Sequence, residues 1–397
     1  MCGIAGFVNF KKNLIDKKSI IEDMTNTLIK RGPNEKGYYI SKNALLGHRR
    51  LIVVDPKGGS QPMIKIHNGK KYIIVYNGEL YNTEDIRKEL LEAGYEFSSY
   101  SDTEVLLTSY IHWKEDCVNH INGIFAFAIY SETDKKIFLA RDPLGVKPLF
   151  YTIKNNNLIF GSEIKTLLAN PLVEPILTKE GLTEIFALGP ARNLGSGVLK
   201  DIHEIPPANF IEFTEHKFKL HEYWRLSCKP HTENASETAE HIKFLLTDAI
   251  KRQLYADVPV CTFLSGGLDS SIISAVAASE FKKHGKTLNT YSIDYKDNNL
   301  YFKNDNFVIT PDSVWAEKMR KFIGSNHHKI INNNLDLASA LYDAVKANDI
   351  PGMADIDSSL FLFCKGVAEK NVVSLSGERA IQMITNLVKQ FINIGEL

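Results

Sequence analysis

Short segments of β-branched and aromatic residues recur through residues 1–160 and predict a domain made mostly of strands. The clearest segments are YIIVYN (72–77), FAFAIY (125–130) and KIFLARD (136–142). Two helices are expected between the strands. One begins near Thr83, and the other follows the capping-box spacing of Ser101 and Glu104.

The pattern changes after a proline-containing region that ends in a polar segment. Strand-like segments then alternate with helical ones, which predicts a parallel sheet covered by helices on both faces. These strands are VPVCTFL (258–264), TYSIDY (290–295), HHKIIN (327–332) and NVVSLSG (371–377). We therefore expect domains at 1–165 and 236–397, joined by a connecting region at 166–235.

Composition narrows the range of ligands. Basic and acidic residues number 47 each, so the formal net charge is zero and neither a nucleic acid nor a membrane is an expected partner. Five cysteines contain no CxxC pair, which argues against a disulfide framework and a zinc site. The chain opens without the layout of a secretory signal. These features predict a cytoplasmic protein that acts on small molecules.

SGGLDSS (265–271) stands where an apolar strand is followed by a helix. Glycines let the backbone approach a phosphate, and the free amides of a helix N-terminus attract its charge. The segment lacks the Gly-Lys-Ser/Thr ending of a Walker A loop. An ordinary β-to-α turn uses the same residue types and is the alternative to phosphate binding.

The same loop resembles the pyrophosphate-binding loop of the N-type ATP pyrophosphatases, which adenylate a carboxylate. The resemblance implies an ATP site and a magnesium ion held with the help of Asp269. The ATP-binding residues that it implies are Leu264, Ser265, Gly266, Gly267, Asp269, Ser270, Ser271, Ile293, Ser376 and Gly377.

Cys2 directly follows Met1, so removal of Met1 would leave a thiol and a free α-amine on one residue. A thiol with a reference pKa of ~8.5 is little ionised at neutral pH and needs a base. The α-amine, with a reference pKa of ~7.7–8.0, can serve as that base. A small buried cysteine is the alternative interpretation of this position alone.

Cys2 begins an ordered series of motifs that resembles the glutaminase domain of class II amidotransferases, which are N-terminal nucleophile hydrolases with an αββα sandwich. The series is MCGIAGF (1–7), RGPNEKG (31–37), GHRRLIVVD (47–55), SQPM (60–63), YNGELYN (76–82), SDTE (101–104), LARDPLGVKPLFY (139–151) and FGSEIKTLL (160–168). Taken singly, Asn77-Gly78 is typical of a hairpin turn, and Arg141 and Asp142 are explained by an ion pair beside a turn.

The resemblance implies a role for each residue of the glutamine site. Cys2 is expected to attack the glutamine amide, with Asn77 and Gly78 as the oxyanion hole. Arg50 is expected to bind the glutamine carboxylate. The full glutamine pocket that it implies is Arg50, Leu51, Ile52, Val53, Val54, Asn77, Gly78, Glu79 and Asp102, of which Glu79 and Asp102 receive the ammonium.

Together the two halves resemble the asparagine synthetase family over residues 1–378. The resemblance implies that ammonia from glutamine attacks an aspartyl-adenylate made from ATP and aspartate, giving asparagine, AMP and pyrophosphate. Glu378 is expected to support formation of the intermediate. A homodimer is one assembly that the resemblance allows.

The residues after Glu378 depart from the family pattern. Arg379 stands in place of a glycine, Ile381 and Gln382 replace an Asp-Glu pair, and the chain ends earlier than is usual in the family. We therefore expect a truncated synthetase half, with glutamine hydrolysis intact and synthesis impaired or absent. An amidotransferase that acts on another carboxylate acceptor is one alternative, and a non-enzymatic remnant that only binds ligands is another.

Overall fold

A computed structural model describes residues 1–189, 191–302 and 310–377 of the chain. Glu378 and the departures from the family pattern that follow it lie outside these residues. The chain divides into two compact units, residues 1–225 and 226–397. None of the helices in the described ranges combines the length and apolar character needed to cross a bilayer.

The first unit contains two six-stranded antiparallel sheets. Its strands are β1 (Gly3–Val8), β2 (Glu35–Ile40), β3 (Ala44–Arg50), β4 (Met63–His67), β5 (Lys70–Leu80), β6 (Gly123–Ser131), β7 (Lys136–Arg141), β8 (Phe150–Lys154), β9 (Asn157–Gly161), β10 (His203–Glu204), β11 (Asn209–Thr214) and β12 (Phe218–Glu222). Its helices are α1 (Lys18–Asn26), α2 (Thr83–Glu92), α3 (Asp102–Trp113), α4 (Cys117–His120), α5 (Ile164–Leu168) and α6 (Lys179–Leu188).

The two sheets lie face to face. The first has the order β10-β8-β9-β1-β3-β2 and the second β12-β11-β7-β6-β5-β4. Ile73 and Val75 of β5 belong to a core that also contains residues of β1 and β3, whereas Ile74 and Tyr76 pack with α2 and α3. Helices α1 and α5 pack on the first sheet. This is the αββα sandwich that the resemblance implies, and the expectation is confirmed.

The strand segments of the first unit are close to the expected ones, but the hairpin at Asn77-Gly78 is wrong. Both residues lie inside β5, where Asn77 is opposite Ala126 and Gly78 is opposite Phe125 of β6. A Cβ on Gly78 would lie 2.3 Å from the carbonyl oxygen of Ile124. Glycine is required here by a close approach between strands and not by a turn.

The residues from 166 to 225, expected as a connecting region, supply strands β10, β11 and β12 to the two sheets. The predicted start of α3 is confirmed, since the Ser101 hydroxyl accepts a hydrogen bond from the amide of Thr103. Glu104 does not complete the capping box, because its carboxylate binds Ser98, Ser99 and Lys65 instead. Tertiary contacts therefore replace the local cap.

The second unit has the predicted alternation of strand and helix. Its strands are β13 (Val260–Phe263), β14 (Asn289–Tyr295), β15 (Asn326–Asn332) and β16 (Val373–Leu375). Its helices are α7 (Ala235–Gln253), α8 (Leu268–Lys283), α9 (Asn298–Tyr301), α10 (Asp312–Ile323), α11 (Asn334–Asn348) and α12 (Ala354–Ala368).

These four strands form a parallel sheet of order β15-β14-β13-β16. Helices cover both faces of this sheet. Side chains alternate along β13, so Thr262 binds Ser274 of α8 on one face at 2.7 Å while Phe263 packs edge-on against Phe363 of α12 on the other. The chain leaves β13 toward β14 and β15 and returns on the other side as β16. Ligands of open α/β sheets bind at such a switch point, beyond the carboxyl ends of the strands.

Candidate functional site

Cys2 lies at the end of the first sheet, directly before β1. Gly3 is opposite Arg49 of β3, so Cys2 begins the sheet beside the end of β3. Its thiol donates a weak hydrogen bond to the carbonyl of Leu51 over 3.6 Å. Side chains alternate along a strand, and Ile4 belongs to the core between the sheets, so Cys2 faces the same space.

Arg31 holds the first residues of the chain in place. Its Nε donates to the carbonyl oxygen of Cys2 over 3.0 Å, and its terminal nitrogen pairs with Glu163 at 3.0 Å. Glu163 also pairs with Lys165. Both Arg31 and Glu163 lie in motifs of the ordered series, but the contact of Arg31 with Cys2 was not expected from the sequence.

Asn77 faces the same space from the second sheet, because it shares the side-chain alternation of Ile73 and Val75. Its side chain is only 1% exposed, and within the described residues neither its amide nitrogen nor its oxygen has a hydrogen-bond partner. Burying an unpartnered amide costs about 1–3 kcal/mol. A group kept at that cost is available to a ligand.

The peptide before Asn77 is held on both sides. The amide of Tyr76 donates to Oε1 of Gln61 over 2.6 Å, and its carbonyl lies 3.0 Å from Nε2 of His48. Burial lowers the pKa of His48 to about 4, so the ring is neutral near pH 7 and its Nε2–H donates to the carbonyl. This fixes the strand just before Asn77 and Gly78.

Two carboxylates lie near the end of β5. Oδ2 of Asp102, at the start of α3, accepts from the Tyr76 hydroxyl over 3.1 Å and from the Leu80 amide over 3.3 Å. Glu79 is on β5 itself. Burial raises the pKa of both carboxyls. The charge of Asp102 raises the pKa of Glu79 further, whereas hydrogen bonds from Leu80 and Tyr76 oppose the rise at Asp102. Both carboxyl groups are suited to receive an ammonium group.

Arg50 is buried at the end of β3 and holds the segment that follows it. Its terminal nitrogens donate to Glu35 at 3.1 Å and to three backbone carbonyls, those of Val54, Asp55 and Pro56. The segment 51–54 is half-buried, and the amide of Ile52 donates to Asn34. A bidentate contact of Arg50 with a substrate carboxylate would replace some of these bonds, and its role stays a prediction.

Arg141 and Asp142 do not form the expected ion pair. Arg141 pairs with Glu204 at 3.0 Å, and Asp142 accepts hydrogen bonds from backbone amides of the loop that follows β7. The reason is that a sharp loop exposes several backbone donors that a single carboxylate can satisfy. This loop carries Lys147, a buried residue that the sequence interpretation did not single out.

In the second unit, SGGLDSS connects the carboxyl end of β13 to the N-terminus of α8. The Ser265 and Ser270 hydroxyls lie 3.0 Å apart, and the Gly267 amide donates to Ser265 over 3.3 Å. Gly266 has a φ of +91°, and a Cβ there would lie 2.5 Å from the backbone nitrogen of Ala316. The loop therefore depends on glycine for both its conformation and its fit against α10.

The other residues expected at the nucleotide lie at the same edge of this sheet. Leu264 is fully buried and directly follows β13, and Ile293 lies in β14. Ser376 and Gly377 follow β16, and a Cβ on Gly377 would lie 2.8 Å from Cβ of Asp269. The structure thus brings together the predicted residues of the loop, β14 and β16. No group of three metal-binding side chains occurs in the described part of the chain.

Sequence comparison places the first unit in a family. Residues 1–224, more than half of the chain, match the family model of the glutamine amidotransferase domain.

The chain belongs to the glutamine amidotransferase family. In this amidotransferase, residues 241–380 match a second family model, asparagine synthase.

Known relatives align with most of this chain. Glutamine-hydrolyzing asparagine synthetase 3 of Bacillus subtilis is 51% identical over 381 residues, which cover 96% of this chain and 62% of that protein. Asparagine synthetase 1 of the same organism is 31% identical over 96% of this chain and 58% of its own. A putative asparagine synthetase 2 of Methanocaldococcus jannaschii is 35% identical over 75% of this chain and 60% of its own. The amidotransferase chain spans about three fifths of the length of these curated relatives.

Similarity to solved structures is lower. The structure of the allosteric regulatory enzyme of purine biosynthesis aligns with 83% of this amidotransferase and 80% of its own chain, at 15% identity and a TM-score of 0.44. At that level it adds nothing to the family assignment.

The two loop glycines allow a matched prediction. We expect Gly266→Ala to lower the free energy of unfolding of the second unit by about 1–3 kcal/mol, because it forces a side chain into a left-handed conformation and against α10. Gly267→Ala is the control, since its Cβ would meet only the Ser265 hydroxyl at 3.5 Å. Thermal denaturation of both variants measures the difference. Equal melting temperatures would contradict the steric role assigned to Gly266.

Proposed function

We propose that this chain is a glutamine-dependent amidotransferase of the asparagine synthetase type. The observation that carries the proposal is the buried, unpartnered amide of Asn77, which faces the same intersheet space as Cys2. The two family models support the pairing of a glutamine-hydrolysing part with an ATP-using part. Relatives named glutamine-hydrolyzing asparagine synthetase support aspartate as the acceptor.

The reaction begins at Cys2 after loss of Met1. The thiol gives its proton to the α-amine, and the sulfur bonds to the side-chain carbonyl carbon of glutamine. Asn77 Nδ2 and the Gly78 amide donate to the negative oxygen of the tetrahedral intermediate. Ammonia leaves with the transferred proton, and water then hydrolyses the thioester to free glutamate and restore the thiol.

The charged residues around this point bind the rest of glutamine. Asp102 and Glu79 receive its ammonium, which suits their shared negative charge. Arg50 orients its carboxylate, directly or through the segment 51–54 that its guanidinium holds. The backbone carbonyl of Leu51 already contacts the Cys2 thiol. This segment would line one side of the pocket.

The second unit binds ATP at the carboxyl edge of its parallel sheet. The amides and hydroxyls of SGGLDSS receive the phosphates, with the α8 N-terminus adding a favourable field. Leu264 and Ile293 contact the adenosine, and Ser376 and Gly377 provide a further contact with the nucleotide. The β-carboxylate of aspartate is adenylated there with release of pyrophosphate, and ammonia then displaces AMP to give asparagine.

Magnesium fits this site through Asp269. Mg²⁺ is commonly bound by one or two carboxylates together with substrate phosphates, so a complete cage of protein ligands is not needed. Asp269 lies in the first turn of α8, next to the loop. The ion would supply charge neutralisation of the phosphates. The residues of the chain bind and orient them.

The two activities are separable by one substitution. We expect the wild-type chain to release glutamate from glutamine, and Cys2→Ala to release none. With aspartate and ammonium supplied directly, pyrophosphate release from MgATP should be the same in both proteins, because that step does not use the thiol. Intact mass shows whether Met1 has been removed. Pyrophosphate release that is absent, or that does not depend on aspartate, would restrict the function to glutamine hydrolysis.

Asn77→Ala should separate activity from stability. We expect kcat for glutamine hydrolysis to fall by about 100- to 1000-fold through loss of an oxyanion-hole donor. The melting temperature should be unchanged or higher, because the amide has no hydrogen-bond partner to lose among the described residues. Kinetics and thermal denaturation on one preparation measure both. A variant that keeps wild-type kcat would remove Asn77 from the mechanism.

The carboxylates predict a pH dependence of glutamine binding. Burial raises the pKa of Asp102 and Glu79, so they take up protons at a higher pH than exposed carboxyls do. Protonation removes the charge that binds the glutamine ammonium, so KM should rise as pH falls through these raised pKa values. Asp102→Asn should have a high KM at all pH values and a weaker dependence. The same acid rise of KM in wild type and variant would contradict this role.

A further inference from the structure

The carboxylate of Asp55 joins two parts of the chain that border the proposed glutamine pocket. Asp55 directly follows the segment 51–54 and is only 3% exposed. Its Oδ1 accepts a hydrogen bond from the Gly58 amide over 2.8 Å, within the same loop. Its Oδ2 accepts from the Tyr100 amide over 3.1 Å, although 45 residues separate the two in sequence. One side chain therefore connects the loop after β3 to the segment that leads into α3.

The loop side of this bridge is bound to Arg50. Nη2 of Arg50 donates to the backbone carbonyl of Asp55 over 2.6 Å, and the same carbonyl accepts from the Gly59 amide over 3.1 Å. Asp55 has a φ of +47°, a conformation that Asp and Asn adopt more readily than most residues. The segment 51–54 is thus closed between Arg50 and Asp55, and the carbonyl of Leu51 within it contacts the Cys2 thiol.

The other side of the bridge carries Asp102, the first residue of α3. Tyr100 lies just before it in the chain, and the residue before Tyr100 is fixed as well. Glu104 accepts from the Ser99 amide over 2.8 Å, and Arg87 donates to the Ser99 carbonyl over 2.9 Å. A shift of this segment would therefore also shift Asp102.

Gly58 allows the two segments to meet. A Cβ at this position would lie 2.4 Å from Oδ2 of Asp55 and 2.5 Å from Cβ of Ser99. Both distances are too short for a real contact, so a side chain here would push the loop away from the segment before α3. Glycine is needed at this point because two backbone segments approach closely.

We propose that Asp55 is a positioning residue that fixes the distance between the two ends of the glutamine head group. The carboxylate end is expected at Arg50 and the segment 51–54, and the ammonium end at Asp102, so this inference rests on the proposed function of the site. Both charged groups of an α-amino acid are attached to one carbon, so the two binding elements must be held at a fixed separation. Asp55 itself touches neither glutamine nor the reacting atoms. Its loss therefore weakens glutamine binding and leaves the chemistry at Cys2 intact.

The test uses Asp55→Asn in full-length protein shown by intact mass to lack Met1. Asparagine keeps the size of the side chain and tolerates the left-handed backbone, but its amide offers one acceptor oxygen to two backbone donors. We expect KM for glutamine to rise about tenfold through loss of one hydrogen bond to a charged group. The value of kcat at saturating glutamine should change little, because the interaction acts on binding.

Two alkylating reagents distinguish positioning from general damage to the site. Iodoacetamide reaches the Cys2 thiol without a head group, whereas the diazoketone analogue of glutamine carries the same ammonium and carboxylate as glutamine. We expect the rate of Cys2 alkylation by a low concentration of the diazoketone to fall about tenfold in Asp55→Asn. The iodoacetamide rate should stay at the wild-type value. Intact mass follows both reactions, and a defect that is merely structural would lower both rates.

A second variant and a control accompany this test. Gly58→Ala disturbs the same bridge from its other side and should give the same pattern, so it takes the place of Asp55→Asn if that variant does not fold. Asp134→Asn is the matched control. Its carboxylate also joins two segments, through Lys70 at the start of β5 and Ser131 at the end of β6. The proposed site is at the opposite ends of these strands, so KM and both alkylation rates should be unchanged.

An unchanged KM in a folded Asp55→Asn variant would overturn the proposal, and so would equal losses of rate with the two reagents. The proposed function fails in a different way. A wild-type chain that reacts with iodoacetamide, but neither hydrolyses glutamine nor reacts faster with the diazoketone, would contradict the glutamine site itself.

Discussion

The hydrogen bond from His48 to the carbonyl of Tyr76 joins the two sheets of the first unit at the point where the site is built. His48 comes from β3 of one sheet, and Tyr76 comes from β5 of the other. A buried neutral histidine can donate here without the cost of burying a charge. Cys2 lies beside β3, and Asn77 follows Tyr76, so this contact sets Cys2 against the strand that carries Asn77.

Around that contact, the first unit keeps polar groups that its own residues do not satisfy. The Asn77 amide and Nδ1 of His48 are both buried and both lack hydrogen-bond partners among the described residues. Their neighbours are well bonded, with Gln61 holding nearby backbone. A rigid surround allows such groups to persist, because the cost of the unpaired groups is offset by the packing around them.

The second unit brings its candidate site residues together by a different fold. Its parallel strands all finish at one edge, so a loop after β13 and a segment after β16 meet although more than a hundred residues separate them. The close approach of Gly377 to Asp269 shows how tightly these segments pack. Backbone amides at a helix N-terminus, with small side chains beside them, suit a phosphate more than a bulky apolar ligand.

Local patterns determined the classes of element and the order of motifs. Segments of β-branched and aromatic residues such as YIIVYN and FAFAIY, and strand–helix alternation after residue 235, predicted two domains of different class, because such patterns depend only on neighbours in the chain. The motifs identified Cys2, Asn77 and SGGLDSS as candidates. What only the tertiary structure decided is which groups meet. Asn77-Gly78 is typical of a turn until β6 pairs with it, and Arg141 binds Glu204 instead of Asp142. The sequence pattern misses both, because pairing depends on residues far apart in sequence.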